Sequence, residues 1–359
     1  MNRFWVTSKG FKYSVNVGHG AWRTFADFPQ DRYSAIFILT EKPLWERWGK
    51  RFLRESNLKN ARALFVPSGE NSKSMAMAER VGADLLRQRA DRRSLLVAFG
   101  GGVIGDLGGF VASIYMRGID YVQVPTTVLA QVDSAIGGKT AVNVGAMKNL
   151  LGTFYPPRLV LAEPEVLTSL DERSFRSGCF EVAKHAILSG PGLFKQLEAK
   201  TSKLLPKHAR KLADTLAQAA KVKVDVVSRD EREAGLRRVL NLGHTFAHAL
   251  EEASGYKRFL HGEAVGWGIV IVMRLAELLG AIERAESERV SRLVRDIGPL
   301  PGLKGLEVWR ILNLLPQDKK AVGGRIHWVI PERVGKVRIS EQVPMRLVET
   351  AFREVQQGS

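Results

Sequence analysis

Three short segments place glutamate and histidine among apolar neighbours: Glu181-Val182-Ala183-Lys184, His244-Thr245-Phe246-Ala247-His248 and His261-Gly262-Glu263. Glu181 and Lys184 are three apart, so a helix puts them on one face. His244 and His248 are four apart, and Asn241 shares their face if the helix reaches back that far. Leu240, Phe246 and Leu250 flank this stripe and turn it inward rather than to water. Buried polar groups need partners. A divalent metal held by one carboxylate and two imidazoles, with positions left open for substrate, would supply them. An i, i+4 histidine pair also occurs on surfaces and in hydrogen-bonded cores, and the residues alone leave both readings open.

A second group of segments suits phosphates. Leu95–Phe99 runs straight into Gly100-Gly101-Gly102-Val103-Ile104-Gly105-Asp106. A strand, a glycine turn and a helix start let the backbone approach a pyrophosphate and turn free N–H groups toward it. Gly100, Gly102 and Gly105 satisfy G-x-G-x-x-G, although a tight turn produces the same letters. The pattern follows the fourth or fifth strand rather than the first, and Asp120 falls at the spacing of a ribose-binding acid by coincidence. A second loop, Ser68-Gly69-Glu70-Asn71-Ser72-Lys73, offers turn backbone, a carboxylate for ribose hydroxyls and a lysine for phosphate. Taken alone, it reads better as a capped helix start with Ser68 or Ser72 as N-cap. Thr126 and Thr127 add hydroxyls after the Tyr121–Val124 run.

Anion-binding groups recur further on. Arg117-Gly118 precedes Gln131-Val132-Asp133-Ser134-Ala135-Ile136-Gly137-Gly138-Lys139-Thr140-Ala141-Val142-Asn143, with Lys148-Asn149 beyond. Two glycines before a lysine suit a loop pressed against an anion, or a tight turn with a solvated lysine. Lys223, Arg237 and Asp318-Lys319-Lys320 follow.

These segments need a scaffold. Apolar runs at Tyr13–Val17, Ala35–Leu39, Ala63–Val66, Leu95–Phe99, Tyr121–Val124 and Leu159–Leu161 alternate with helical patterns such as Leu44–Glu55 and Ser74–Arg89. The alternation predicts a largely parallel α/β sheet covered on both faces. From Glu172 helical periodicity dominates, in Leu204–Val227, Glu263–Leu279 and Glu286–Arg295. A β-like pair, Ile326–Ile330 and Lys336–Ile339, interrupts it before a last helix through Glu354. The expected domains are 1–169, a Rossmann-like nucleotide-binding α/β domain, and 170–359, a mainly α-helical metal- and substrate-binding domain.

The chain has 359 residues, 45% hydrophobic and 25% charged, enough to bury a core without disulfides. Its single cysteine, Cys179, excludes an internal disulfide and fits a reducing, cytoplasmic setting. Met1 to Gly10 lacks the apolar core of a signal peptide, and no apolar run approaches a membrane span. Lys and Arg number 54 against 37 Asp and Glu, a formal charge of +17. The basic residues are scattered apart from Arg87–Arg93 and Lys203–Lys211, without interleaved aromatics, so a solvated basic surface is expected and no nucleic-acid partner. Most of the excess has no role in the motifs.

In their order these segments resemble the 3-dehydroquinate synthase family, from roughly Ala35 to Gly335. The likeness is densest at GGGVIGD, RG, VPTTVLAQVDSAIGGKT, KNLLGTFYPP, EVAKH, DEREAGLRRVLNLGHTFAH, LHGEAV and DKK. Joint occurrence of these blocks is far more specific than any one of them. The resemblance implies a divalent metal, Zn or Co, on Glu181, His244 and His261. It implies NAD on Ser68, Gly69, Glu70, Asn71, Ser72 and Lys73, on Gly102, Val103, Ile104, Gly105 and Asp106, on Thr126 and Thr127, and on Thr168 and Ser169, with Lys139 and Lys148 nearby. The substrate's phosphate would meet Lys139, Asn149 and Lys319 or Lys320, with Arg117 reaching over from a second subunit of a homodimer. Its carboxylate and hydroxyls would meet Asp133, Lys184, Lys223, Arg237 and Asn241, and His248 would relay protons. The implied reaction turns 3-deoxy-D-arabino-heptulosonate 7-phosphate into 3-dehydroquinate and phosphate. It runs by transient oxidation, phosphate elimination, reduction and intramolecular aldol closure.

The pattern departs from the family in three places. Asn143-Val144-Gly145-Ala146-Met147 replaces N-x-P-x-G, Ser169 stands where threonine is usual, and Ala247 where glycine is usual. None removes a metal or charge-bearing position, so loop shape is affected rather than the reaction. Other sugar phosphate cyclases share the scaffold, but the joint retention of Arg117, Lys139, Asn149, Lys184, Arg237, Asn241 and His248 argues against them. Metal-dependent polyol dehydrogenases would instead release NADH.

Overall fold

The computed structural model describes residues 1–8, 10–145, 147–315 and 326–359. Its first half holds β1 (Asn2–Ser8), β2 (Phe11–Val17), β3 (Ile36–Glu41), α1 (Lys42–Glu55), β4 (Arg62–Val66), α2 (Met75–Arg87), β5 (Leu95–Gly100), α3 (Gly102–Ile114), β6 (Asp120–Pro125), β7 (Lys139–Val144), β8 (Met147–Phe154) and β9 (Leu159–Ala162). Then follow α4 (Glu172–Ser189), α5 (Pro191–Glu198), α6 (Ala213–Arg229), α7 (His244–Ala253), α8 (His261–Leu278), α9 (Arg284–Ile297), α10 (Val308–Leu314), β10 (Trp328–Arg333), β11 (Lys336–Ser340) and α11 (Met345–Gln357). The chain forms two compact units: Met1–Leu170 with Pro206–Arg232, and Asp171–Leu205 with Glu233–Ser359.

The first unit is built on a seven-stranded sheet in the order β1-β2-β9-β6-β5-β3-β4. β1 pairs antiparallel with β2 at one edge, and the pairings from β2 across to β4 are parallel. β5 is buried along its whole length, as a strand covered on both faces must be. Ala98 faces α3, where a Cβ on Gly108 would lie 2.9 Å from the Ala98 Cβ. Phe99 points the other way and stacks on Phe52 of α1, ring centroids 4.8 Å apart. The chain leaves β3 for β4 on one side and returns to β5 on the other. This reversal opens a crevice at the carboxyl ends of β3 and β5, where open α/β sheets take their ligands.

Two strand regions escape the pattern of apolar runs. β1 is an edge strand with alternating exposure, and β7 and β8 form a separate antiparallel ribbon of mixed polarity. The expected helix Leu204–Val227 is also broken, because Pro206 opens a 3₁₀ stretch, Pro206–Leu212, ahead of α6. α6 lies beyond the boundary expected at 169/170, yet it belongs to the first unit. Its stripe Ala217, Ala220, Val224 and Val227 joins Val6, Tyr13, Val15 and Val17 in one buried cluster, which covers β1 and β2.

The second unit opens at Asp171, whose carboxylate accepts a hydrogen bond from the Ser174 N–H (2.8 Å) and so caps α4. Helices dominate the unit, with β10 and β11 as a hairpin. Among the described residues no helix is long and apolar enough to cross a membrane.

Gly108 provides a direct test of the α3–β5 contact. Gly108→Val should cost about 1–3 kcal/mol of stability through overpacking, read as a lower urea midpoint of the first unit. An unchanged midpoint would contradict the packing.

Candidate active site

The second unit gathers the Glu and His residues. Glu181 lies mid-way along α4, His244 is the first residue of α7 and His261 the first of α8. One Glu181 oxygen stands 3.4 Å from His261 Nε2 and 3.6 Å from His244 Nε2. The three ligand atoms all lie within 4.8 Å of one another. Backbone packing makes this possible. A Cβ on Gly262 would sit 1.7 Å from the Ser177 carbonyl oxygen, and one on Gly268 would sit 1.9 Å from the Gly243 carbonyl oxygen. α8 therefore meets α4 and the start of α7 with no side chain between.

Asn241 does not share the helix of His244. It ends a 3₁₀ turn, Leu236–Asn241, and Gly243 at φ 79° breaks the chain before α7 begins. The left-handed conformation there suits glycine. Asn241 Nδ2 donates to Glu233 Oε1 (2.6 Å), and Arg237 on the same turn is buried. His248 lies one turn beyond His244, its ring 5.7 Å from His244 and 6.4 Å from His261.

The site's electrostatics call for positive charge. Glu181 and Lys184 are each only 1% exposed, with Lys184 Nζ 2.6 Å from the second Glu181 oxygen. Burial by itself raises the Glu181 carboxyl, but Lys184, His244 and His261 outweigh it and hold the group well below the usual carboxylate value. Burial likewise opposes charge on His261, yet Glu251 and Glu181 raise it to about 9. A divalent cation would satisfy the same demand by displacing protons from the imidazoles. The ring orientations fit it. His261 Nδ1 faces Glu251 Oε2 at 3.1 Å and His244 Nδ1 faces the Leu242 carbonyl at 3.3 Å, which leaves both Nε2 atoms on the Glu181 side. Glu251 was missed in the sequence. Its signal is its place seven residues after His244 and three after His248, on their helix face.

In the first unit, the loop Ser68–Lys73 follows β4, the segment Gly102–Asp106 follows β5, and Thr126 and Thr127 follow β6, all at carboxyl ends. Lys73 forms an ion pair with Asp106, whose carboxyl burial keeps above its ordinary value. Ser74, not Ser68 or Ser72, caps α2 through the Met77 N–H, while Ser68 donates to Glu41 and Ser72 to the Pro67 carbonyl. Asp120 is at the opposite end of the sheet, holding Tyr33 and Arg158. Ile104 is buried in the core under the sheet's helices. Thr168 and Ser169 end a 3₁₀ turn after β9, bonded to the Glu165 and Val166 carbonyls, and Ser169 Oγ also accepts from Trp48.

The anion-binding candidates occupy several places in this unit. Asp133 lies in a π-helical turn, Ala130–Ser134, and pairs with Lys223 of α6. Lys139 opens β7 with its ammonium 5.9 Å from the Phe154 ring centroid. Lys148 and Asn149 lie in β8, and Arg117 is exposed in a turn where Met116 and Arg117 both have positive φ. Asp318, Lys319 and Lys320 lie outside the described residues.

Comparison with known proteins bears directly on this arrangement. The 3-dehydroquinate synthase N-terminal family matches residues 63–177 and the 3-dehydroquinate synthase C-terminal family residues 178–321. A 3-dehydroquinate synthase from Solibacter usitatus is 40% identical over 347 residues, 95% of this chain and 96% of its own. One from Bordetella pertussis is 41% identical over 350 residues, 97% of each chain. Among solved structures, a 2-epi-5-epi-valiolone synthase from Streptomyces hygroscopicus subsp. jinggangensis, with NAD⁺ and Zn²⁺ bound, is similar with a TM-score of 0.87 and 28% identity. That similarity spans 98% of this chain and 99% of the other.

The geometry around His261 yields a graded expectation. His261→Ala should remove most bound Zn²⁺, whereas Glu251→Gln should keep the site but weaken Zn²⁺ about 10–100-fold by loosening the ring. Competition with a chromophoric chelator measures both. Equal affinity in Glu251→Gln would sink the role given to Glu251.

Proposed function

The chain belongs to the 3-dehydroquinate synthase family, and we propose from that premise how its own residues serve the reaction. The reaction converts 3-deoxy-D-arabino-heptulosonate 7-phosphate to 3-dehydroquinate and phosphate. The proposal assigns nucleotide binding and most of the phosphate contacts to the first unit, and metal binding with proton handling to the second. The convergence of Glu181, His244 and His261 carries it. When bound, NAD takes up and returns a hydride while Zn²⁺ or Co²⁺ holds and acidifies the substrate hydroxyl concerned.

The remaining work falls to the protein. Ser68–Lys73 and Gly102–Asp106 line the crevice where a pyrophosphate meets the start of α3, with Glu70 set for ribose hydroxyls. Thr126, Thr127, Thr168, Ser169 and Lys148 complete the nucleotide assignment. Lys139, Asn149, Arg117 and Lys319 are assigned to phosphate, and Asp133, Lys184, Lys223, Arg237 and Asn241 to carboxylate and hydroxyls. The pairs Lys223–Asp133 and Lys184–Glu181 hold their charges in fixed positions, so no reorganisation is needed as substrate charge shifts. His248, half-buried beside His244, can take up a proton and hand it on.

A homodimer is part of this proposal. Successive residues of a strand point to opposite faces, yet Leu151 and Phe154, three apart, are 45% and 44% exposed. Val144, Met147 and Phe154 are exposed on the same ribbon, and Ile114 and Met116 flank Arg117. A two-stranded ribbon with apolar side chains on both faces needs a cover, and a second copy would bring Arg117 with it. A cytoplasmic location fits the lone, buried Cys179.

Two experiments test these readings. With metal and NAD far below substrate concentration, the protein should release phosphate over many turnovers without lasting absorbance from reduced nicotinamide. Stoichiometric NADH would place it with the polyol dehydrogenases instead. Leu151→Asp should shift the sedimentation coefficient from dimer to monomer, and an unchanged dimer would exclude the β7–β8 ribbon as the interface.

A further inference from the structure

Asn143 lies at an irregularity in the β7–β8 ribbon. Val142 pairs with Leu151 and Val144 with Met147, so Lys148, Asn149 and Leu150 together stand opposite Asn143. Such a bulge frees backbone groups from the ladder and re-aims side chains. Asn149 takes φ 55° within it, a left-handed conformation that asparagine tolerates better than most residues. Its N–H donates to Asn143 Oδ1 at 2.9 Å. The other end of the same carboxamide, Nδ2, donates to Glu70 Oε1 at 2.8 Å. The Asn143 N–H donates to the Lys73 carbonyl at 2.8 Å, and Ser74 and Asn143 form a parallel bridge. Lys73 in turn holds Asp106 in the first turns of α3. One side chain thus ties the loop after β4 to the bulge of β8, and both of its hydrogen-bonding groups are used.

From this geometry we infer that Asn143 is a positioning residue that couples nucleotide binding at Glu70 to phosphate binding at Asn149. The inference rests on the proposed placement of NAD and phosphate in this unit. A ligand that fixes the Glu70 carboxylate fixes the carboxamide, and the carboxamide fixes the Asn149 backbone. Phosphate held at Asn149 orders Glu70 by the same route. Such coupling is reciprocal, so each ligand tightens the other by one common factor. Asparagine suits the position because it offers a donor to a carboxylate and an acceptor to an N–H. Aspartate would keep the acceptor and set a negative charge against Glu70.

The test measures the factor directly. NAD is titrated calorimetrically into the metal-loaded protein, with and without saturating inorganic phosphate. In the unaltered chain phosphate should lower the NAD Kd about fivefold or more. Asn143→Ala, which cuts both arms, and Asn143→Asp, which keeps the Asn149 contact but loses the Glu70 one, should each bring the ratio to within about twofold of unity. Because a merely structural role would weaken both ligands without changing their ratio, the ratio is the decisive readout. If Asn143→Ala does not fold, Asn143→Asp decides alone. A ratio near one in the unaltered chain, or a full ratio in the foldable variants, overturns the inference. Glu70→Ala or Asn149→Ala with undiminished affinity for NAD or phosphate, respectively, would show instead that the ligand placement is wrong.

Discussion

At Gly262 and Gly268 helix α8 meets its neighbours through backbone alone, and the candidate metal centre depends on that closeness. Even a methyl group at either position would overlap a carbonyl oxygen, of Ser177 on α4 or of Gly243 ahead of α7. A helix pair separated by ordinary side chains has axes some 8–10 Å apart. Without side chains between them, the first residue of α8 comes within reach of a carboxylate in the middle of α4. The Arg173–Glu263 pair, with the Leu260 N–H on the same carboxylate, fixes where that first turn begins.

Closeness of this kind concentrates charge as well as ligands. Glu181, Glu251 and Lys184 are all buried, and a buried ion is tolerated only when paired and hydrogen-bonded. The His261 imidazole stands between the Glu181 and Glu251 carboxylates, and His244 faces Glu181 from a second side, so the cluster is held by mutual dependence rather than by any one strong contact. The first unit solves a smaller version of the same problem at Lys73 and Asp106, a charged pair between the loop after β4 and the first turns of α3. In both units buried charged groups are braced by charged partners of opposite sign.

Much of the scaffold was legible because burial writes itself into apolar runs. β5 is buried along all six residues, and it appears in the sequence as an unbroken Leu-Leu-Val-Ala-Phe before its glycine turn. β1 and the β7–β8 ribbon were not legible, since one has alternating exposure at an edge and the other mixes lysine, asparagine and glycine with its apolar residues. The metal candidates could be named from three segments, but whether their helix reaches back to Asn241 stayed open in the sequence; the break at Gly243 has its cause in the close approach of α8. α6 keeps only the later part of the helix expected over Leu204–Val227, and its apolar stripe packs with residues of β1 and β2. Periodicity records that a face is buried, not which sheet buries it.

The glycines of α8 also bear on how the chain can change over time. Gly262 and Gly268 are six residues apart, under two turns, and they serve opposite neighbours. One residue inserted between them would rotate everything downstream by about 100°, turning a β-carbon into the Gly243 carbonyl while His261 stayed in place. Length variation is therefore excluded from this stretch however polar or apolar the inserted residue. The loop between α7 and α8 has no such phase to keep, so differences in length among related chains should accumulate there and stop short of His261.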